Sequence, residues 1–295
     1  MNLKPPSWRY AALFFKGFVI GGANIVPAIS GGTIALILGI YPRLIRSLVG
    51  LTRPDFLRLL IRLHLRKAQE HADIGFLLTI GLGIITAVLT LSRGLEWVLT
   101  AHPILLFSFF FGLVLGSVVS MLRNAAKWRL TQYICFACAA LGAFFLFSLS
   151  PANTPMAPWF LFLSGALSIC ALILPGISGA FMLVLLGKYN HFIAAVNAGD
   201  LSVLVPVAAG GIAGLLSFVR ILSWFLKRYQ HTTHAVLTGL VTGSLRKLWP
   251  WDFIGNKLVD SASKAPQIEQ ISFALILALI GFISILVIDH LSAKQ

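Results

Sequence analysis

Charge is scarce in this chain. Only 11% of its 295 residues are charged, and nine of those are Asp or Glu. Soluble chains carry about 25% charged residues, so a water-facing globular surface is excluded. Hydrophobic residues make up 58% of the chain and the mean hydropathy is +0.91. This is the composition of an all-α polytopic membrane protein, long enough for one membrane domain built from two halves. Acidic residues are scarcest of all: 23 Lys and Arg leave a net charge of +14. In a soluble protein that excess would suggest nucleic acid. Here the cations lie between apolar segments, and no basic run is interleaved with aromatics in a soluble module. They therefore read as topology signals and contacts to anionic lipid, with no nucleic-acid partner.

Cysteine is also sparse. Cys135 and Cys138 sit inside an apolar segment, and Cys170 stands alone. A zinc site needs four good ligands, and no second pair or nearby His completes one. No disulfide framework is implied. The seven histidines, His64, His71, His102, His191, His231, His234 and His290, form no metal-ligand spacing with carboxylates. Neither a metal nor a cofactor is expected.

What the chain does have is a repeat. Residues 27–41 begin Pro27-Ala28-Ile29-Ser30-Gly31-Gly32-Thr33, continue as an apolar run and end with Gly39 and Tyr41. A copy lies 148 positions later as Pro175-Gly176-Ile177-Ser178-Gly179-Ala180-Phe181, again followed by an apolar run, Gly187 and Tyr189. Seven of the fifteen aligned positions coincide, clustered on turn residues. Proline removes a backbone donor and glycine tolerates unusual dihedrals, so each copy reads as the tip of a helix–break–helix hairpin. A second signature supports the halves: Gly112, Gly116 and Ser117 match Gly239, Gly243 and Ser244 at an offset of 127, where Arg93 meets Arg220 and Trp97 meets Trp224. The offset drops by 21 because the first half carries an extra basic loop.

The expected order follows. Half one, residues 1–150, holds a hairpin at about 11–41, with arms 11–25 and 31–41. A basic amphipathic stretch at 43–73 lies on the inner leaflet, and spans follow at about 74–91, 103–121 and 131–149. Half two, residues 151–295, holds a hairpin at about 159–187 and spans at about 201–219, 233–248 and 271–288. Arg93, Glu96, Trp97 and His102 fall in the first connection. Each hairpin arm is shorter than the ~20 residues a full span needs, so each hairpin is expected to be re-entrant. A re-entrant hairpin plus three crossings puts the two ends of each half on opposite faces, so the halves form an inverted-topology repeat. With the N-terminus cytoplasmic, 17 of the 23 Lys and Arg face inward, as the positive-inside rule requires. Lys4 and Arg9 before an apolar stretch imitate a signal peptide, but the stretch runs into the first break and no cleavage is expected.

Helix N-termini present free N–H groups and partial positive charge. Ser30, Gly31, Gly32 and Thr33, with Ser178 and Gly179 opposite, are thus candidate binders of an anionic head group. The alternative is a Ser cap and a small-residue packing seam. Asn24 could add a donor on one side only, because its match is Leu172. Arg93 and Arg220 could be interfacial anchors or anion clamps; Arg123 and Arg246 could line a path for a charged head. Glu96 could pair with Arg93 on one helix turn, or act with Asp200 as a proton- or sodium-coupling carboxylate.

The whole chain resembles the undecaprenyl-phosphate translocases of the PopT type. The resemblance rests on Gly17, on the run from Gly21 to Thr33, and on Leu174-Pro175-Gly176-Ile177-Ser178-Gly179-Ala180. It departs at Ala180 and Phe181, where the first copy has Gly32 and Thr33, so half one is expected to supply more of the contacts. The resemblance implies a non-enzymatic flippase of the bacterial cytoplasmic membrane. Its substrate would be undecaprenyl phosphate, returned from the outer to the inner leaflet for peptidoglycan and other envelope polymers. A homodimer is a candidate assembly. Undecaprenyl-pyrophosphate phosphatases share inverted repeats and hairpins, but their motif pairs serines with an arginine that neither tip has here. A small-anion transporter is the third reading.

Overall fold

The computed structural model describes residues 7–26, 29–61, 69, 72–123, 125, 128–251 and 268–292. Pro27 and Ala28 of the first tip lie outside the described residues. So do Arg62, Arg66, Lys67 and Glu70 of the basic stretch, together with Lys127. Among the described residues the structure is helical: α1 (Ser7–Ile25), α2 (Gly31–Ile37), α3 (Tyr41–Leu51), α4 (Pro54–Ile61), α5 (Ile74–Ala101), α6 (Pro103–Arg123), α7 (Leu130–Leu146), α8 (Pro158–Ile173), α9 (Gly179–Leu185), α10 (Tyr189–Ala198), α11 (Leu201–Arg228), α12 (Gln230–Ser244), a 3₁₀ turn (Leu245–Leu248) and α13 (Ile268–Ser292). Four helices, α5, α6, α11 and α13, are long and apolar enough to cross a membrane; α9 and α10, bent by 110° at their break, would make a fifth. The helices α7 and α12 in the remaining span positions are shorter, and α12 opens on the polar Gln230, His231, Thr232, Thr233 and His234.

Two span ends differ from the sequence reading. Both α5 and α11 run for 28 residues, about 42 Å at 1.5 Å per residue. No strong breaker interrupts either helix where the spans were expected to end. Arg93, Glu96 and Trp97 therefore lie on helix α5 rather than in a connection, and Arg220 and Trp224 lie on α11. The helix α10 has no counterpart in the sequence reading. Basic residues 43–61 form two short helices, α3 and α4. Arg43 at the start of α3 pairs with Asp73 at 2.7 Å and lies 4.4 Å above the Phe76 ring.

The two hairpins repeat one local geometry. Ser30 and Ser178 precede seven-residue helices with backbone angles of −96°, 127° and −96°, 134°. Gly39 and Gly187 then turn the chain with φ of +70° and +65°, a region that favours glycine. The next helices start at Tyr41 and Tyr189. In the first hairpin, the start of α2 lies against Asn24 and its end against Lys16, whose ammonium donates to the Leu38 carbonyl at 2.9 Å. In the second, Ser168 donates to the Gly179 carbonyl at 2.9 Å and Thr154 donates to the Leu186 carbonyl at 2.5 Å. In both, the short helix runs back along the longer one that precedes it.

The chain divides into two compact units, one of residues 1–92 and 150–229, the other of 93–149 and 230–295. In the first unit each hairpin packs on the long helix of its own half. A Cβ on Gly17 would collide with the Ile80 carbonyl, and one on Gly165 with the Val207 carbonyl. Gly83 meets Phe14 as Gly210 meets Phe162. These pairs map onto each other at the offsets of 148 and 127 that relate the sequence copies. In the second unit the halves exchange partners: Gly112 and Gly116 on α6 abut Ala278 and Phe282 on α13, while Gly239 and Gly243 on α12 abut Phe136 and Ala140 on α7. Backbone-to-backbone approach through small residues is how helices associate in lipid, where burial of apolar surface adds nothing.

A side chain at such a contact overpacks it, at a cost of about 1–3 kcal/mol or more. Gly83→Val and Gly210→Val are expected to lower the melting temperature of the detergent-solubilised protein. Gly81→Ala, on the same helix with open space around it, is expected to leave it unchanged or slightly higher. Equal melting of all three would contradict this packing.

Candidate functional site

The two breaks meet inside the first unit. After Ile173, α8 ends with unpaired carbonyls, as any helix does, and Pro175 prevents their satisfaction by continued helix. Residues of the first hairpin supply the missing partners. The Tyr41 hydroxyl donates to the Ile173 carbonyl at 3.1 Å, and the Ser30 hydroxyl donates to the Leu174 carbonyl at 3.2 Å. In the other direction, the Gly176 N–H donates to the Thr33 hydroxyl oxygen at 2.7 Å. Ser30, Thr33, Tyr41, Pro175 and Gly176 are all buried, Tyr41 to 1% exposure. Gly32 completes the fit, since a Cβ there would lie 2.9 Å from the Ile173 carbonyl oxygen.

The hydroxyls thus have defined partners across the seam. A hydroxyl has one proton to give and lone pairs to receive. Ser30 gives its proton to Leu174, and Thr33 accepts from Gly176 while keeping a proton of its own. Neither Ser30 nor Ser178 caps its own helix through its side chain. The Thr33 and Ile34 N–H groups return to the Ser30 carbonyl at 2.9 and 3.3 Å, while Gly31 and Gly32 are the first two residues of the helix. Asn24 is exposed, and its amide lies within 2.7 Å of where a Gly31 Cβ would be. Ser178 is half-buried, and Gly179 is buried against Ser168 and Leu172.

Of the expected cations, Arg220 belongs to the same unit as the seam, and Arg93, Arg123 and Arg246 belong to the other. In the first unit, Arg220 donates through Nη2 to the Thr52 carbonyl and through Nε to the Thr52 hydroxyl at 3.2 Å. Thr52 is the C-cap of α3, so this cation satisfies the end of a helix, where its charge suits the dipole. In the second unit, Arg93, Glu96 and Arg123 are exposed. Among the described residues no ion pair joins Arg93 to Glu96. Arg246 lines a pocket of about 350 Å³ with Thr242, Phe111, Phe144 and Trp249, its guanidinium 5.9 Å from the Phe144 ring. Asp200 caps α11: its carboxylate accepts from the Ser202 N–H at 2.9 Å and the Ser202 hydroxyl at 2.7 Å. Those bonds hold its pKa below the ordinary 3.8. Among the described residues no group of three His, Cys, Asp or Glu side chains could hold a metal.

Two groups at this site are absent from the sequence-derived candidates. Tyr41 stands at a matched repeat position, but nothing local in the sequence shows its hydroxyl reaching Ile173. Lys188 is buried to 1% exposure, with its ammonium 2.7 Å from the Thr154 carbonyl and 5.5 Å from the Phe160 ring. It fastens the base of the second hairpin, much as Lys16 does in the first.

Residues 20–266 match the family described as undecaprenyl phosphate translocase-like. A protein of Vibrio cholerae serotype O1 named polyprenyl-phosphate transporter is 38% identical over 263 residues, covering 89% of this chain and 85% of that protein. A Staphylococcus aureus protein of the same name is 29% identical, covering 95% and 96% of the respective chains. No solved structure matches the chain. With its long apolar helices, the chain is a multi-pass membrane protein.

Removing the Tyr41 hydroxyl takes this partner from the Ile173 carbonyl, at about 1–3 kcal/mol. Tyr41→Phe is expected to lower thermal stability, while Tyr189→Phe, whose hydroxyl is outside the seam, is not. Asp200 contributes stability that is present above pH 3.8 and lost as pH falls through its depressed pKa. Asp200→Asn should therefore flatten the acid limb of stability and leave the pH profile of transport unchanged. A shifted transport profile would restore Asp200 as a coupling residue.

Proposed function

The chain belongs to the undecaprenyl phosphate translocase-like family, and on that premise we propose that it carries a polyprenyl phosphate across the bacterial cytoplasmic membrane. The substrate is the C55 carrier, moved from the outer to the inner leaflet for reuse in envelope polymer synthesis. The observation that carries this reading is the buried seam, in which side chains of the first hairpin satisfy backbone groups at the break of the second. A phosphate cannot cross hydrocarbon unpaired, and irregular backbone at membrane depth is tolerated only against protein or a water-filled cavity. A seam of exchangeable hydrogen bonds meets both conditions.

Both hairpins are re-entrant in this reading, the first from the cytoplasmic side and the second from outside, so the halves are inverted. The phosphate enters by replacing seam bonds. Its oxygens accept from the Gly31 and Gly32 N–H groups and from the Ser30 and Thr33 hydroxyls, while Ser178 and Gly179 close from the other hairpin and Asn24 borders the mouth. The released Leu174 carbonyl is then hydrated, and the Gly176 N–H is free to donate to the phosphate. Opening on alternate sides of the seam gives alternating access, and the seam re-forms when the head leaves. Arg93, Arg123 and Arg246 recruit the anionic head, and Arg220 holds α3 in register. With Asp200 serving as a cap, Glu96 is the remaining coupling candidate.

The test is transport of fluorescent polyprenyl phosphate in proteoliposomes. Ser30→Ala with Thr33→Val is expected to slow flipping at least about tenfold, equivalent to ~1.4 kcal/mol on the barrier, in protein that still inserts and elutes as wild type. Undiminished flipping would remove the tips from the pathway. Phosphate release from undecaprenyl pyrophosphate by the wild-type protein would point to the phosphatase reading.

A further inference from the structure

An apolar groove of about 600 Å³ lies beside the second hairpin, walled by α8, α9, α10 and α11. Gly179, the first residue of α9, belongs to its lining, and its α11 wall runs from Leu204 to Leu215, about 16 Å of helix. Hydroxyls enter its lining only at Ser168 and Tyr189, and the Ser168 proton is already given to the Gly179 carbonyl. Away from Gly179 and Tyr189 the wall suits hydrocarbon rather than a charged group. Leu172 and Ile212 on its sides are 45% and 60% exposed, so the groove opens sideways.

The first hairpin does not repeat this lining residue for residue. At the offset of 148, Leu172 corresponds to Asn24, Leu183 to Ala35 and Ala180 to Gly32. Tyr41 is 1% exposed in the seam, whereas Tyr189 is 37% exposed and lines the groove. Gly32 has no room for a Cβ, but Ala180 contributes its methyl to the groove wall. Where the first copy has Asn24, Gly32 and Thr33, the second has Leu172, Ala180 and Phe181.

We propose that this groove is the tail subsite, holding the isoprene units nearest the head of the polyprenyl phosphate. The inference rests on the polyprenyl-phosphate reading above. The first hairpin supplies the polar partners of the head; the second supplies a dry channel that starts at Gly179 and leads the chain out between α9 and α11 into lipid. Loss of the Gly-Thr pair from the second copy then exchanges one role for another, because Ala180 shapes a wall that a second donor set would have made polar.

Photolabelling in nanodiscs tests the groove, using farnesyl phosphate that bears a diazirine on an isoprene unit. Label is expected on the peptides of α8, α9 and α11 that carry Leu172, Leu183 and Ile212. Excess undecaprenyl phosphate should suppress it and excess phosphatidylglycerol should not. Two independent fillings, Ala208→Trp and Ala180→Leu, are each expected to reduce groove label about tenfold in protein that elutes as wild type. Competable label that falls elsewhere, or groove label unmoved by either filling, would overturn the tail subsite while leaving polyprenyl phosphate as the substrate. Groove label displaced equally by phosphatidylglycerol would make it an ordinary lipid contact. Absence of competable label anywhere would overturn the substrate reading and the subsite together.

Discussion

A helix that stops inside a protein leaves carbonyls and N–H groups unpaired, and each is costly to bury. The fold around the two hairpins follows from how this chain meets that constraint. The carbonyls of Ile173 and Leu174 and the N–H of Gly176 find their partners in Tyr41, Ser30 and Thr33 of the opposite repeat copy. The second break is thus completed by side chains of the first copy. Pro175 makes the second break obligatory, Gly32 lets the first approach it, and the burial of both tips follows. A local interruption in one half is thereby tied to residues more than 130 positions away.

The same contact explains why the two copies differ. A seam needs partners, not identical halves. Ser30, Thr33 and Tyr41 each supply a hydrogen-bond partner from the first copy, and Gly32 leaves room for the Ile173 carbonyl. In the second copy the seam is made by backbone atoms, which most side-chain substitutions leave in place. Side chains there are released for other work, and Ala180, Leu172, Leu183 and Tyr189 line an apolar groove instead. Divergence of Gly32-Thr33 to Ala180-Phe181, which in the sequence breaks the symmetry of a donor set, reads structurally as a division of labour between donors and hydrocarbon contact.

Much of this was legible in the sequence, because turn chemistry is local. Matching Pro, Ser, Gly and Tyr positions located both breaks, and Gly39 and Gly187 do turn the chain with positive φ. The offset of 127 located Gly112 and Gly239, which proved to be backbone contacts. Long-range pairing was not legible. Nothing in the run around Ser30 says that its proton goes to Leu174, and nothing near Arg220 says that it reaches Thr52. Helix ends without a breaker were also misplaced: α5 continues past Arg93 because Gly94 is tolerated in a helix whose next strong stop is Pro103. Basic residues read as one amphipathic stretch are divided near Thr52 and Arg53, where a cap and Pro54 separate α3 from α4.

Direct visualisation of the head group decides whether the seam is a binding site or only a fastening. Density for the phosphate of undecaprenyl phosphate, bound to the full chain in nanodiscs, should lie within hydrogen-bond distance of the Gly31 and Gly32 N–H groups, with the Ser30 to Leu174 bond broken. A phosphate resolved elsewhere while that bond and the Thr33 to Gly176 contact stay intact would show that the breaks only hold the hairpins together.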